Sequence, residues 1–423
     1  MNRKSIKYLK NLGISILIVI NGSCSSDDNS GGNTSITVKP DFNVEFTQQD
    51  RVTIEGINHF SHKLMAEVLT NDELLGLNGK NFAISPLGCA IDMAMLAQSA
   101  DNESARKLCS VLGVSDTETL GAACNKLMTY LSAPENGAEF EMANAVWYAE
   151  RNAPYISDGY VKSMNSTYFA DVNAADLTTN AGEKIINAWV NSKSKGLIRD
   201  INGLFEPSSS AEVLILNALY FKNNDKFSFY KPNTDDAIFH APEGDRSVKM
   251  MFNDTYCGFF EDNVKTVITL GYEDYLTNVT FIIPKEEFTL ADVCLDTTEE
   301  WSAIWDGMEE YRVTLMIPKL SVMSTVKLNS LPMLAQADNL SLGEMGLPSG
   351  RVGTVGQKTY FNMNESGIEL TSASRSQSRL PSWGGEITFT VDRPFLFYVS
   401  NVNTGSIIMS GRILDASNQN YNL

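Results

Sequence analysis

The chain is poor in the residues that most catalytic and metal sites use. Only three histidines occur in 423 residues, and the six cysteines show no tight spacing. The sequence contains no Gly-x-Ser-x-Gly turn, no His-Glu-x-x-His helix and no glycine-rich phosphate loop. His59 and His62 are three residues apart, but no third metal ligand follows at a fitting distance. We expect no metal, no cofactor and no enzyme, although a hydrolase that acts through acidic residues stays open as an alternative.

Basic residues are also scarce. The chain has 33 Lys and Arg against 51 Asp and Glu, which gives a formal net charge of −18. Because Lys and Arg supply most of the affinity for phosphates, we expect no nucleic-acid partner and no heparin-like polyanion. Apart from Cys24, the odd number of scattered cysteines fits neither a disulfide framework nor a zinc site. We expect the others to be small buried apolar residues: Cys89, Cys109, Cys124, Cys257 and Cys294.

The N-terminus carries a targeting pattern rather than a membrane span. A basic segment precedes an apolar run over residues 12–20, which is too short for the ~30 Å hydrocarbon layer and predicts a signal peptide over residues 1–23. Asn21-Gly22-Ser23-Cys24 resembles a bacterial lipobox, and residues 25–29 resemble the export tag of surface lipoproteins in Bacteroidetes-type bacteria. We therefore expect Cys24 to carry the only membrane anchor, at the outer surface facing the extracellular space. A plain signal peptide with an incidental cysteine is the alternative.

The remaining chain is predicted to be a flexible tether over residues 24–49, one domain over residues 50–415 and a short tail over residues 416–423. Apolar residues recur at helical spacing within residues 57–69 and 90–97, and Ser85-Pro86 provides a cap for the second helix. The second half reads as strands near residues 213–221, 279–283, 313–317, 387–391, 395–400 and 406–410. A helical first half followed by strands predicts an α+β domain.

The most informative segment runs from residue 358 to residue 394. Residues 358–364 alternate like a strand, and residues 365–367 interrupt it. Beyond the interruption every second residue is apolar or small, and nearly all those between are polar or charged. The first set is Ile368, Leu370, Ser372, Ser374, Ser376 and Ser378. In a strand the two sets would lie on opposite faces, although a serine-rich linker that alternates by chance is the simpler alternative.

These residues resemble the reactive-centre loop of the serpin family. Residues 364–367, Asn-Glu-Ser-Gly, are similar to the family's hinge, and residues 372–374 are small where the family has small residues. Similar motifs occur in order at residues 81–87, 186–190, 217–222, 318–319, 392–397 and 411–412. The resemblance covers residues from about 50 to 415.

The resemblance implies a serpin fold with three β-sheets and an exposed loop. It implies an irreversible suicide-substrate inhibitor of serine proteases, and also of cysteine proteases, in which the cleaved loop inserts into the central sheet. We expect a monomer whose partner is a target protease. The implied hinge comprises Glu365, Gly367, Ile368, Glu369 and Leu370. The implied inserting loop comprises Thr371, Ser372, Ala373, Ser374, Arg375, Ser376, Gln377 and Ser378.

Several positions depart from the family pattern. Ile368 and Leu370 are bulky where the family has small residues, which would slow insertion through overpacking. Asn223 and Asp225 replace a Gly and a Trp. The family's sheet-opening hydrogen-bond network maps onto Ser85, Gly88, Asn217 and Gln357, which implies a reduced network. The alternative is therefore a non-inhibitory serpin that binds or scaffolds, or that is cut as a simple substrate.

The family's count from the hinge places the reactive bond near residues 380–382. Leu380-Pro381 is a poor bond for a protease because proline lacks an N–H, and Pro381-Ser382 presents an unusual side chain. Arg379-Leu380 offers a guanidinium to a trypsin-like pocket and is our preferred bond. Arg375 is the second choice, and Trp383 would suit a chymotrypsin-like protease.

Overall fold

The computed structural model describes residues 41–133, 139–208, 212–222, 229–272, 276–337, 340–347, 355–365, 367–368 and 387–417. The predicted signal peptide, Cys24 and the first part of the tether lie outside these residues. So do most of the predicted hinge and inserting loop and every candidate reactive bond.

Helices dominate the first half of the chain. They are α1 (Gln48–Thr70), α2 (Pro86–Ser99), α3 (Asn102–Val111), α4 (Thr117–Leu131), α5 (Asp158–Tyr168) and α6 (Asn180–Lys193), with α7 (Thr298–Gly307) in the second half. The N-termini follow local sequence. Ser85 caps α2 as predicted, since its hydroxyl accepts from the Gly88 N–H at 3.1 Å, and Pro86 occupies the first turn. Thr47 and Asp50 form a reciprocal capping box at α1.

The strands lie mostly in the second half. They are β1 (Phe82–Ile84), β2 (Glu139–Ala149), β3 (Ala170–Ala175), β4 (Val213–Lys222), β5 (Asp235–Ala241), β6 (Gly244–Glu261), β7 (Lys265–Gly271) and β8 (Thr277–Pro284). They continue with β9 (Glu309–Pro318), β10 (Leu320–Lys327), β11 (Gly356–Asn364), β12 (Gly367–Ile368), β13 (Ile387–Thr390), β14 (Phe395–Asn401) and β15 (Ile407–Ile413).

The strands of the described residues form three sheets. A nine-stranded sheet has the order β1-β15-β14-β8-β7-β6-β9-β13, with β5 also paired to β6. The two smaller sheets have the orders β3-β2-β4 and β10-β11-β12. The predicted α+β class with a helical first half and three sheets is confirmed.

Two apolar cores hold these layers together. The main core joins α1, α2 and α4 to the nine-stranded sheet and to the inner faces of β4 and β11. A smaller core lies on the outer face of the β3-β2-β4 sheet, where α6 and the chain after it cover Trp147, Leu214 and Leu216. The β3-β2-β4 sheet is thus buried on both faces, as the apolar sequence of β4 predicts.

The folded domain begins earlier than the predicted boundary at residue 50. The Phe42 ring stacks on Tyr130 with 5.4 Å between ring centroids, and Phe46 also packs against Tyr130. The prediction of a tether through residue 49 is therefore wrong from residue 41 onward, because aromatic residues in this segment find a partner on α4. At the other end Ala416, assigned to the tail, is buried in the main core.

The cysteines outside the N-terminal segment are free thiols, four of them buried. Within the described ranges, none of the helices combines the length and the apolar character needed to cross a membrane. In the same ranges no three His, Cys, Asp or Glu side chains cluster as a metal site would require.

Candidate functional site: a cleft between two half sheets

In the described residues, the two three-stranded sheets meet at strand edges that are largely unpaired. β4 pairs along its length with β2, and β11 pairs along its length with β10. Between them lies a narrow cleft, lined by residues 219–221 of β4 and residues 360–362 of β11. Val399, Ile408 and Met409 form its floor. Unpaired inner edges are unusual, because strand N–H and C=O groups need partners and open edges invite pairing.

The chain after β11 begins to fill this cleft. It turns at Glu365, and β12 then pairs antiparallel with the end of β11, with Gly367 opposite Asn364 and Ile368 opposite Met363. The sheet order β10-β11-β12 places β12 on the edge of β11 that faces away from β10. This edge is the one that borders the cleft. The described chain resumes at β13, which pairs parallel with β9 in the nine-stranded sheet.

Glu365 is fixed at the turn where the new strand starts. Lys319, between β9 and β10, donates to its carboxylate at 2.9 Å, and the Thr234 hydroxyl donates to the other oxygen at 2.9 Å. Burial opposes ionisation of Glu365, but the hydrogen bonds from Lys319 and Thr234 hold its pKa below the usual value. The turn is therefore anchored by a buried, hydrogen-bonded ion pair.

A hydrogen-bond network ties β11 to the start of α2. Gln357 accepts from the Ser85 N–H at 2.9 Å and donates to the Ser85 carbonyl at 2.7 Å. The Ser85 hydroxyl donates to the Ile408 carbonyl at 2.8 Å, and Thr359 donates to the Ala83 carbonyl. The structure thus brings Ser85 and Gln357, both identified from the sequence, into direct contact.

Asn217 lies beside this network but bonds elsewhere. Its side-chain N–H donates to the Asn144 oxygen of β2 at 2.7 Å, and Asn144 donates to the Tyr168 carbonyl at 2.7 Å. Gly88 separates the two groups, since a Cβ there would lie 2.7 Å from Asn217 Oδ1 and 3.0 Å from Ser85 Oγ. Among the described residues the side-chain bonds therefore tie β4 to β2 and β11 to α2. They do not join β4 to β11, so the two half sheets can separate without breaking them.

Part of the predicted site lies in this cleft and part lies outside the described residues. Ser85, Gly88, Asn217, Gln357, Glu365 and the backbone of Gly367 and Ile368 are placed there. Glu369, Leu370, the inserting loop, the bonds from Arg379 to Ser382 and the altered positions Asn223 and Asp225 lie outside.

The sequence reasoning missed Lys319, Thr234, Asn144 and Thr359. Lys319 belongs to a motif recognised in the sequence, and Thr359 falls on the core-facing side of the predicted strand, so the sequence gave a weak indication of both. No sequence pattern indicated Thr234 or Asn144, because their partners are distant along the chain.

Comparison with known proteins agrees with this geometry. The sequence model of the family described as Serpin (serine protease inhibitor) matches residues 55–416. An uncharacterised serpin-like protein of Thermococcus kodakarensis is 26% identical over 388 residues, covering 87% of this chain and 86% of that protein. The human leukocyte elastase inhibitor is 26% identical over 354 residues, covering 78% of this chain and 92% of that protein.

The fold is also shared with solved structures. The native-state crystal structure of tengpin, a thermophilic serpin, superposes with a TM-score of 0.74 at 22% identity, covering 91% of this chain and 99% of tengpin. At that identity the likeness shows the fold alone. The family match, which spans most of the chain, shows more: this protein belongs to the serpin family, whose members commonly inhibit proteases.

Proposed function

We propose that the protein is an irreversible inhibitor of serine proteases, and also of cysteine proteases, that works by inserting its cleaved loop between β4 and β11. One observation carries the proposal: among the described residues neither β4 nor β11 has a partner strand along its edge at the cleft, except that β12 already pairs with the last two residues of β11. Under this proposal the protein is a substrate that traps its protease and is not itself an enzyme.

The register of β12 fixes how the rest of the loop would insert. Continuing it would bring Leu370 opposite Phe361, Ser372 opposite Thr359 and Ser374 opposite Gln357. These three residues of β11 are buried and face the main core. The apolar and small set of the alternation would thus enter the core, whereas Glu369, Thr371 and Ala373 would face outward. A serine side chain is small enough to fit into the packed core. The larger Leu370 side chain would fit only in the space beside Phe361.

The chemistry is that of an interrupted hydrolysis. The nucleophile of the protease adds to the carbonyl carbon of the reactive residue, and the peptide bond breaks. The proton from the nucleophile leaves on the new amine, while the acyl group stays bound to the protease. Insertion then carries the acylated end along the cleft before water can hydrolyse the ester. Each residue added to β11 makes backbone hydrogen bonds worth about 1 kcal/mol. Native folding therefore stops short of the most stable arrangement.

We further propose that Arg379-Leu380 is the reactive bond and that the target is trypsin-like. Incubation with trypsin should give a covalent band, resistant to SDS, at the summed mass of both chains. Arg379→Ala should abolish the band, and Arg375→Ala should retain it. If trypsin only nicks the wild-type chain, inhibition is contradicted and the protein is a simple substrate.

A second candidate function, ligand binding, is favoured by a separate pocket. α1, α7 and the turn between β14 and β15 line an open pocket of about 250 Å³, with Ile54 and Trp301 among its lining residues. Burial lowers the pKa of His62 at this pocket to about 4, so its ring is neutral at pH 7. By hydrogen-bond geometry neither nitrogen of that ring, nor the Asn58 side-chain oxygen, has a partner among the described residues, although the Leu295 backbone lies near enough to His62 to oppose the fall in its pKa.

An apolar molecule with one polar group would fit this pocket and satisfy His62. The fluorescent probe 8-anilinonaphthalene-1-sulfonate, an aromatic anion, offers a direct test. Saturable binding that is lost in His62→Phe, together with the absence of a covalent protease band, would favour a binding protein over an inhibitor. Failure of the probe to bind contradicts this second candidate.

We also propose that Cys24 is lipidated and that the protein sits as a monomer on the outer cell surface. Residues 25–40 are rich in Ser, Gly and Asn, and a flexible segment of that length spans about 20 Å on average. Such a span would hold the domain just clear of the membrane. Cys24→Ser should move the protein from the membrane fraction to the soluble fraction. Protection of the wild type from protease added to whole cells would contradict the surface location.

A further inference from the structure

Three neighbouring strands of the nine-stranded sheet share an outer face beside the end of the loop that carries the candidate reactive bonds. β6, β9 and β13 lie side by side in that order. Thr388 of β13 pairs with Thr314 of β9, which lies opposite Asp254 of β6. Two residues earlier on β9, Arg312 lies opposite Tyr256 of β6. Since alternate residues of a strand share a face, these five side chains lie on one side of the sheet. We name this side the flanking face.

The flanking face is turned to solvent, and the other side of the three strands is turned to the main core. Val313 and Leu315 of β9 are fully buried in that core, whereas Thr388 and Tyr256 on the flanking face are exposed. Tyr256 is 56% exposed. A single exposed apolar or aromatic residue is ordinary on a protein surface, so the neighbours of Tyr256 decide whether it has a role.

Arg312 is held in one orientation beside Tyr256. Its Nε donates to one oxygen of Asp254 at 3.1 Å, and its Nη2 donates to the other oxygen at 2.6 Å. The Asp254 side chain is 2% exposed and the Arg312 side chain is 31% exposed, so the carboxylate is covered while part of the guanidinium stays at the surface. A two-point ion pair fixes the plane of the guanidinium. A partner that binds here would therefore lose little entropy in ordering the arginine.

The residue types and charge of the flanking face fit a protein partner. Tyrosine and arginine are the types enriched at the energetic centres of protein interfaces. The chain as a whole has a net charge of −18, but the charges of Arg312 and Asp254 cancel on this face. Exposed acidic residues resume at its end, where Glu310 lies opposite Gly258. Binding at the flanking face would therefore depend on the aromatic ring and on hydrogen bonds more than on net charge.

The flanking face lies within reach of a protease bound at the preferred reactive bond. The seven residues 380–386 connect that bond to β13, which begins at Ile387. Seven residues span at most about 25 Å, which is less than the diameter of a protease domain, about 40 Å. A protease that holds Arg379-Leu380 in its active site is therefore close enough to contact the flanking face.

We propose that the flanking face is a second contact surface for the target protease, with Tyr256 at its centre. The inference rests on the proposed function, because it concerns the partner of the same loop. The surface fits an uncharged rim beside the active site of the protease, with an apolar group against the Tyr256 ring and a hydrogen-bond partner for its hydroxyl. Selection of the protease then depends on this rim as well as on the residue at the reactive bond.

Tyr256→Ala should slow the association with trypsin about tenfold, which is the loss typical of a residue at the centre of an interface. Tyr256→Phe keeps the ring and loses only the hydroxyl, so its loss should be about threefold. Tyr155→Ala is the matched control, because Tyr155 is 65% exposed and lies in the short 3-10 helix Glu150–Tyr155 outside the flanking face. The number of inhibitor molecules consumed per trypsin should not change, since that ratio depends on steps after acylation.

Trypsin whose nucleophilic serine is replaced by alanine separates this inference from the proposed function. Its affinity for the chain should fall about tenfold in Tyr256→Ala and stay the same in Tyr155→Ala, whether or not the active enzyme is trapped. Equal affinities and equal association rates in wild type and Tyr256→Ala overturn the second contact surface and leave inhibition intact. A wild-type chain that active trypsin cuts without a covalent band overturns the proposed function alone.

Two further outcomes also decide against the second contact surface. A wild-type chain that trypsin neither cuts nor binds overturns the proposed target and this inference together. Self-association of the wild type that Tyr256→Ala abolishes, measured by sedimentation, would assign the flanking face to a second copy of this chain. Urea unfolding should be alike in Tyr256→Ala, Tyr155→Ala and the wild type, because both side chains are exposed.

Discussion

β14 and β11 are neighbouring strands of the same core that differ in how their edges are used. The rings of Phe397 in β14 and Phe361 in β11 stack with 4.2 Å between centroids. β14 is paired along both edges, with β8 and with β15. β11 is paired along one edge with β10, and on the other edge the described residues pair only with its last two positions. Burial of the core-facing side chains of a strand therefore does not imply that its backbone hydrogen bonds are complete.

The connections of the chain explain this difference. β15 follows β14 after a short turn, so pairing closes locally. The segment after β12 must instead return to β13, which is fixed to β9 on another sheet. Cutting the loop would remove this restraint, which makes cleavage the most direct way to turn β11 into a strand like β14.

The largest expected effect is that of cleavage itself. About ten new backbone hydrogen bonds at about 1 kcal/mol each should raise the melting temperature of a domain of this size by about 10 °C or more. Calorimetry of the intact and the trypsin-cleaved protein measures this directly. Identical melting temperatures would show that the open edge of β11 stays open, and the comparison with β14 would then have no functional meaning.

A charge on the core-facing side of the loop should block insertion. The extended register brings Ser372 opposite the buried Thr359 and Thr371 opposite Tyr360 on the outer face. Burial of an unpaired carboxylate costs several kcal/mol, so Ser372→Glu should lower the yield of covalent complex at least about tenfold. The adjacent Thr371→Glu serves as the control and should change the yield less than about twofold. If both variants behave alike, the loop does not insert in this register.

Gly88 tests how closely Asn217 of β4 and Ser85 at the start of α2 approach each other. A methyl group there would lie 2.7 Å from Asn217 Oδ1 and 3.0 Å from Ser85 Oγ. Gly88→Ala should therefore destabilise the native state by about 1–3 kcal/mol through overpacking. Gly76→Ala is an unsuitable control, because Gly76 has a φ of 67° and an alanine there would strain the backbone. Gly159→Ala is suitable, because a Cβ at Gly159 would meet only the Ser157 hydroxyl at 4.0 Å. Urea unfolding of Gly88→Ala beside Gly159→Ala gives the difference, and equal stability would contradict the close approach of the half sheets at Gly88.

The smallest effect concerns the anchor at Glu365. Its folded-state pKa lies below the ordinary value of 4.5. The carboxylate therefore stabilises the native state above about pH 4.5, and this contribution is lost as the pH falls through the folded-state pKa. Glu365→Gln should cost about 1–2 kcal/mol at pH 7 and should flatten the loss of stability in acid. Glu261→Gln, which breaks an exposed pair with Lys285 at 3.1 Å, is the control. An unchanged acid profile in Glu365→Gln would show that the turn is not held by this ion pair.

Much of the fold could be predicted because the spacing of apolar residues along the chain reflects which side chains are buried. The helical spacing in α1 and α2, the cap at Ser85 and the alternation of β11 all correspond to observed elements. The start of the domain was misplaced, since polar composition near residue 45 concealed aromatic residues that pack on α4. Of the candidate site, the sequence identified the contact of Gln357 with Ser85. The resemblance grouped Asn217 with them, whereas its side-chain N–H donates to Asn144, a partner that no local pattern marks.

The sequence by itself determined which residues alternate and to which family the chain is related, since these depend on neighbours along the chain. Only the tertiary structure decided which strand edges stay unpaired among the described residues, which residues anchor Glu365 and which residue of β11 the chain after α6 contacts. Those features depend on contacts between segments more than a hundred residues apart, such as Thr234 with Glu365 and Asp200 with Lys358. Local periodicity carries no record of such pairings, because a side chain has the same spacing whichever distant partner it meets.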